Sequence, residues 1–201
     1  MRVNTQDCAW QSSIVISSQI VLGLQTIVSR NVNIVDNPAI VTVGAIHSGI
    51  RQNIIPESSH MIGTIRTFSP AQRELVHRRI KEVATNIAIS GGAKADVTIG
   101  TGYPVTYNNP QLTEKMLPTL QAVNGKDGVQ LIHAHTGAED FSYFQEKVPG
   151  IFFFLGARPE NKLRNEVAGH HTPDFYLDES KFQVGVKALS SLVVDYFGQK
   201  K

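Results

Sequence analysis

A regular succession of helical and strand patterns in residues 13–101 constrains the fold of this chain more than any other feature. Apolar residues recur at helical spacing from about Ser13 to Ser29 and predict a helix that is buried on two faces. The β-branched run Ile40–Ile46 predicts a strand. His60–Phe68 alternates between polar and apolar residues, so it predicts a second strand with His60, Ile62, Thr64 and Arg66 on one face.

A second helix and a third strand complete this pattern. Ser69 can cap the helix, Pro70 suits its first position, and Gln72 completes a capping box. A clean apolar stripe follows until Gly91-Gly92 ends the helix, and Ala95–Thr101 predicts a strand. Helix, strand, strand, helix, strand is the order of a split βαβ, ferredoxin-like unit. Because residues 1–12 show no strand pattern, we expect this unit to lack its first strand.

The second half of the chain predicts an α/β arrangement of another kind. Two prolines and two asparagines in residues 103–110 indicate a boundary, and we divide the chain into domains 1–105 and 106–201. The patterns predict helices from Asn109 to Gly125, from Glu139 to Lys147 and from Asp178 onward, with strands at Gly128–His133 and Ile151–Leu155. The second of these strands is apolar on both faces, which is typical of a buried parallel sheet.

The composition excludes several classes of function. The 201 residues carry a formal net charge of only +2, so no basic field for nucleic acid is present. Apolar runs are broken well before 18 residues, and the first residues lack the basic start and apolar core of a signal peptide. The single cysteine, Cys8, rules out an internal disulfide framework and fits a reducing compartment. We therefore expect a cytoplasmic protein with neither nucleic acid nor membrane as a partner.

Histidines are concentrated in the second half, and each group has two readings. His170-His171 could be metal ligands or ordinary loop histidines. A catalytic zinc ion usually takes three protein ligands, and no dense cluster of cysteine, histidine and carboxylate residues accompanies this pair. His133 and His135 would lie on one face of the predicted strand, which suits either a metal ion or a solvent-facing edge.

Three further polar residues are candidates for a binding site. Glu139, with Asp140, could contribute carboxylates or simply form the acidic first turn of a helix. Arg66 could clamp a substrate carboxylate or form a surface salt bridge. Asn53 could bind a carbonyl or belong to a turn. A Gly-rich phosphate loop and a Gly-x-Ser-x-Gly elbow are both absent from the sequence.

Several of these residues occur in motifs of a known family. Val43-Gly-Ala-Ile-His-Ser-Gly, Asn53-Ile-Ile-Pro-Glu and Gly63-Thr-Ile-Arg-Thr-Phe resemble the lid domain of aminoacylase-like metallopeptidases, which include hippurate hydrolase and the N-acyl- and indoleacetyl-amino acid hydrolases. Gly137-Ala-Glu-Asp-Phe-Ser-Tyr-Phe and His171-Thr-Pro, with the phenylalanine run between them, resemble the end of the same family's catalytic domain. The resemblance covers roughly residues 15–198.

The resemblance implies a fold and a set of roles. It implies most of a ferredoxin-like lid domain, which mediates dimerisation in that family, followed by the C-terminal part of a zinc-peptidase-like α/β catalytic domain. The complete family enzyme uses divalent metal ions (zinc, or manganese or cobalt) to cleave the amide bond of N-acyl amino acids or small peptides. The resemblance assigns His171 as a metal ligand and Asn53, Arg66 and Glu139 as substrate contacts.

The family's other metal motifs are missing from this sequence. The His-x-Cys-Gly-His-Asp stretch and the Glu-Glu pair that supplies the general base do not occur, and Met1–Trp10 replaces the segment Gly-x-x-His-Ala-Ala. We therefore assign no catalytic residue and expect the isolated chain to be inactive. Either it is the C-terminal portion of a metal-dependent amidohydrolase, or it is a non-catalytic dimerisation module or the remnant of a truncated gene. In both cases we expect a homodimer through the lid.

Overall fold

The computed structural model describes residues 1–5 and 11–198, which form a mixed α/β protein. The chain divides into two compact units. The first comprises Met1–Val105 with the short segment Thr136–Ala138, and the second comprises Thr106–His135 with the described residues from Glu139 onward.

The first unit is a four-stranded antiparallel sheet with two helices. Its sheet order is β2-β3-β1-β4. Its elements in chain order are β1 (Arg2–Thr5), α1 (Ser13–Asn31), β2 (Ala39–Ser48), β3 (Ser58–Thr67), α2 (Pro70–Ser90) and β4 (Ala93–Asp96). This is the complete βαββαβ succession of a ferredoxin-like unit.

The expectation that the first lid strand is missing is wrong. Residues Arg2–Thr5 form β1, which lies in the middle of the sheet and pairs with both β3 and β4. Val3 is fully buried on the helical side of the sheet. Four residues are too short for a period to be visible in the sequence, and the two neighbouring strands supply the hydrogen bonds that make this segment a strand.

The core of the first unit lies between the sheet and the two helices. α1 begins where the Ser12 hydroxyl accepts a hydrogen bond from Val15 N, and its inner face buries Ile20 and Ile27 completely. α1 is also long and apolar enough to cross a membrane by length and composition alone, but the core helix of a soluble domain passes the same test. α2 begins as predicted, with Ser69 Oγ accepting from Gln72 N at 3.2 Å. The predicted capping box is not formed, because Gln72 Oε1 accepts from Phe68 N at 3.3 Å rather than from Ser69 N.

Close backbone approach explains one glycine of the lid motif. Gly63 on β3 is paired with Val43 on β2, next to a bulge between Val43 and Ala45. A Cβ atom at Gly63 would lie 2.2 Å from the carbonyl oxygen of Thr42, which is far inside van der Waals contact. Only glycine fits at this point of the β2–β3 pair.

The third predicted strand, Ala95–Thr101, is shorter and earlier than expected. β4 spans Ala93–Asp96, and its register with β1 ends at the pair of Asp96 and Arg2. Val97 and Ile99 still pack against the core, although they lie outside the strand. The β1–β4 pairing thus ends at Arg2, which is the first residue of β1.

The second unit is built from helices and long irregular segments. Its helices are α3 (Pro110–Asn124), α4 (Phe141–Gln145) and α5 (Phe182–Gly198), and two short 3₁₀ turns, at Arg164–Glu166 and Glu179–Lys181, lie between α4 and α5. α3 and α5 pack together, and the hydroxyl of Thr119 on α3 donates to Asp195 Oδ2 on α5 at 2.7 Å. Asn109 caps α3 as predicted, accepting from Leu112 N at 2.9 Å.

The two strands predicted in the second unit are wrong. Neither Gly128–His133 nor Ile151–Leu155 joins a sheet in the described part of the chain. An apolar run becomes a strand only when neighbouring strands satisfy its backbone, and none lies beside these runs in the described residues. The side-chain amide of Asn108 takes that role for one residue, since it donates to Phe152 O and accepts from Phe152 N, both at 2.7 Å.

A broad apolar surface remains exposed on the second unit. One stripe follows α5 at helical spacing and consists of Phe182, Val186, Leu189, Val193 and Phe197, all at least 46% exposed. The predicted buried strand also leaves Phe154 half exposed. The first unit buries the inner faces of its helices against its own sheet, although α1 also leaves Val15 and Leu22 exposed.

Candidate functional site

Arg66 lies on the exposed face of β3, in line with His60, Ile62 and Thr64 as the alternation predicted. Its guanidinium group donates a hydrogen bond to the carbonyl oxygen of Thr136. Thr136 belongs to the short segment that groups with the first unit and immediately precedes the Gly137-Ala138-Glu139 motif. The positive charge of Arg66 is therefore held at the backbone of this loop.

Asn53 lies in the turn between β2 and β3. The turn leaves β2 through Gly49, whose φ of +80° favours glycine, and Ile54 N donates to Arg51 O at 3.4 Å. Asn53 is exposed, and the neighbouring Ile50 is 84% exposed. This local structure agrees with the interpretation of Asn53 as a turn residue. It also leaves the side-chain amide of Asn53 accessible to a ligand.

Glu139 lies two residues before the start of α4 and is half-buried. Its backbone carbonyl accepts two hydrogen bonds from Ser142, from the hydroxyl at 2.6 Å and from the amide at 3.2 Å. Asp140 occupies the cap position of α4, but its side chain makes no cap hydrogen bond. The fully buried Ser142 thus fixes the backbone at Glu139.

His171 adopts an unusual backbone conformation in an exposed loop. Among the described residues it is the one non-glycine with a positive φ, at +66°. Thr172 stabilises the loop on both sides of His171. Its hydroxyl donates to Gly169 O at 2.7 Å, and its carbonyl oxygen accepts from Phe175 N. The left-handed region is unfavourable for a side-chain-bearing residue, and such strain is concentrated at functional sites.

Two other histidines of this half, His170 and His135, make aromatic contacts. The His170 ring lies edge-on to Phe175, with centroids 4.8 Å apart, and the His135 ring lies edge-on to Phe154 at 5.4 Å. His133 and His135 lie in an irregular segment, so the shared strand face predicted for them does not form.

The candidate residues are divided between the two units. Asn53 and Arg66 lie in the first unit, whereas Glu139 and His171 lie in the second. Within residues 1–5 and 11–198, no three histidine, cysteine, aspartate or glutamate side chains come close enough to hold a metal ion. These residues therefore do not fit a complete metal site. Cys8 lies outside the described residues.

Sequence reasoning missed Thr136, which contributes only its backbone carbonyl and leaves no signal in the sequence.

Comparison with known proteins identifies the family. The model of peptidase family M20/M25/M40 matches residues 10–195, which is most of the chain. This chain belongs to that family. The resemblance drawn from the lid and catalytic motifs is thereby confirmed.

Named relatives of this M20 chain include deacetylases and peptidases. It is 41% identical over 180 residues to the N-acetyldiaminopimelate deacetylase of Brevibacillus brevis, covering 88% of this chain and 45% of that protein. It is 32% identical to thermostable carboxypeptidase 2 of Saccharolobus solfataricus, covering 91% of this chain and 45% of the other.

A solved structure of an M20 peptidase also resembles this chain. The dinuclear metal-binding M20 peptidase YXEP of Bacillus subtilis aligns with a TM-score of 0.70 at 28% identity, covering 96% of this chain and 47% of that one. The M20 chain described here thus spans about half the length of the relatives that it matches.

Proposed function

We propose that this chain supplies the lid and the C-terminal part of the catalytic domain of a metal-dependent amidohydrolase that cleaves the amide bond of N-acyl amino acids or small peptides. The match to the M20 family over residues 10–195 carries this proposal. Relatives named as an N-acetyldiaminopimelate deacetylase and a carboxypeptidase support a substrate with an amide bond beside a carboxylate.

In this proposal His171 binds the divalent metal ion, which would be zinc, manganese or cobalt. The strained backbone and exposed position of His171 support this role. A metal ion bound there would polarise the amide carbonyl and activate water in the complete enzyme. The residues of this chain do not complete such a site, so no step of the reaction is assigned to them.

Three residues are proposed to contact the substrate. Arg66 offers a planar guanidinium group that can bind a carboxylate in two-point fashion. Asn53 can donate to a carbonyl or carboxylate from its exposed turn, and Glu139 can accept from the amide nitrogen. For Arg66 to bind a substrate, its hydrogen bond to Thr136 O must be shared or exchanged.

We further propose that the isolated chain is inactive and that more polypeptide must cover the second unit. The apolar stripe of α5 supports this, because contiguous exposed apolar residues along one helix are typical of interaction surfaces. The same surface would be buried if the missing metal motifs were supplied by another chain. A cytoplasmic location fits these roles.

A second candidate function is a non-catalytic dimerisation module. The first unit favours it, because this unit has a complete sheet, two helices and its own core. It could fold and pair with a second copy, or with a longer relative, whatever the state of the second unit.

Reconstitution tests the proposal. The chain would be co-expressed with the portion of the Brevibacillus deacetylase that precedes the matched region, and the complex would be assayed on N-acetyl amino acids with added Mn²⁺ or Zn²⁺. We expect turnover that His171→Ala abolishes and that the matched neighbour His170→Ala retains. A stable complex without turnover, or turnover insensitive to His171→Ala, would contradict the proposed role.

A further inference from the structure

Two histidines that the proposed hydrolase function does not use lie opposite each other on the sheet of the first unit. His47 on β2 and His60 on β3 are direct partners in the antiparallel register. The next pair in this register, Ser48 and Ser59, faces the helices, since Ser13 on α1 bonds to the Ser48 hydroxyl and Ser59 is buried. Side chains alternate along a strand, so His47 and His60 share the opposite, open face.

Both imidazoles are accessible on this face. His47 and His60 are exposed, and β2 is an outer strand of the sheet in the described part of the chain. Directly opposite residues of an antiparallel pair have Cβ atoms about 4.5–5.5 Å apart. Two imidazole nitrogens at this spacing can reach one ion, because metal–nitrogen bonds are about 2.0–2.1 Å long.

The neighbouring charges set limits on this site. Arg2 is the partner of His60 on the other side, and its cation opposes binding of a second cation. The Arg2 guanidinium group donates a hydrogen bond to the Ser58 hydroxyl at 3.4 Å. Asp96 on β4 is the cross-strand partner of Arg2 on its other side. Since the described residues contain no group of three potential ligands, water must fill the remaining positions.

We propose that His47 and His60 form a two-imidazole site for a late divalent transition-metal ion such as Ni²⁺, Cu²⁺ or Zn²⁺. Imidazole suits these ions, whereas Mg²⁺ and Ca²⁺ prefer oxygen ligands. The bound ion links β2 to β3, and since the site exists only in the folded sheet, metal binding stabilises the fold. This site lies in the first unit and does not depend on the metal role of His171.

Calorimetry and thermal unfolding with Ni²⁺ test the proposal. The protein is produced without a histidine tag and carries His171→Ala, so that binding at the proposed catalytic ligand does not contribute. We expect one Ni²⁺ per chain and a rise in Tm. His47→Asn and His60→Asn should each weaken binding by about 100-fold, because each leaves a single imidazole and removes the gain from the second, intramolecular contact. Both positions are exposed, so the variants should keep the wild-type fold without metal, which circular dichroism checks.

His77→Asn, on α2, is the matched control and should leave Ni²⁺ affinity and the metal-induced rise in Tm unchanged. Equal affinity in wild type and both cross-strand variants would overturn the proposal. Loss in only one of the two variants would also overturn it, because the ion would then be held by one imidazole and another group.

Discussion

Val3 on β1 is paired with Ala95 on β4 and, on its other side, with Ser59 on β3. All three side chains face the helices, and Val3 is fully buried. Val3 is therefore part of the core of the first unit.

Replacing Val3 by alanine should destabilise the protein by about 2 kcal/mol, because it removes buried apolar volume at the centre of the sheet. Arg2→Ala, one residue earlier on the open face, is the matched control and should change stability by less than about 0.5 kcal/mol. Urea unfolding of both variants decides the matter. Equal effects at the two positions would mean that β1 is not anchored in the sheet as described.

Local signals in the sequence predict the helices of the first unit well. α1 and α2 begin at the predicted residues because the hydroxyls of Ser12 and Ser69 cap them, and such caps depend on only a few neighbouring residues. β1 could not be predicted, since its strand conformation comes from pairing with residues 58–60 and 93–96.

In the second unit, by contrast, the sequence predicts a strand that does not form. Ile151–Leu155 has the composition of a buried strand, yet it lacks neighbouring strands among the described residues. Composition reports the environment that a segment is suited to, whereas the hydrogen-bond partners decide its conformation. The candidate site could not be predicted from local sequence either. The roles of Asn53, Arg66, Glu139 and His171 remain predictions from family motifs.

Thr119 and Asp195 join the two long helices of the second unit. Thr119→Val keeps the side-chain shape but leaves the half-buried carboxylate without this donor, which should cost about 1–2 kcal/mol. Thr119→Ser retains the hydroxyl and should lose less. Thermal unfolding of the two variants compares them, and greater loss in the serine variant would show that the methyl group matters more than the hydrogen bond.

Stability should also depend on the protonation of His77. Burial, followed by the charges of Arg73 and Lys81, lowers the pKa of His77 below its ordinary value. The folded protein then binds a proton at His77 less readily than the unfolded chain, so the contribution of His77 to stability falls as pH drops through about 6.5.

His77→Gln removes this penalty. Relative to wild type, the variant should be more stable at pH 5 than it is at pH 8, as measured by urea unfolding at both pH values. A difference between variant and wild type that is the same at pH 5 and pH 8 would contradict the lowered pKa.

We expect the chain to form a dimer or larger assembly through the lid. The outer strand β2 and the exposed apolar residues of α1, among them Leu22 at 71% exposure, offer a surface for a second copy. Light scattering at micromolar concentration should give a mass well above 22.1 kDa.

Leu22→Lys should shift the protein toward the monomer, because it places a charge in the apolar surface of α1. Leu131→Lys, at a fully exposed position of the second unit, is the matched control and should leave the lid-mediated association intact. A monodisperse wild-type monomer would remove the main support for dimerisation.

Turnover by the purified chain alone tests the central claim most directly, namely that this chain holds only part of a hydrolase site. The assay uses hippurate and N-acetyl amino acids with added Zn²⁺, Mn²⁺ or Co²⁺. We predict no hydrolysis above the metal-only background, because a missing general base alone costs about 10²–10⁴-fold in rate. Turnover that survives repurification and disappears in His171→Ala would contradict the account, since it would show that this chain assembles a complete site by itself.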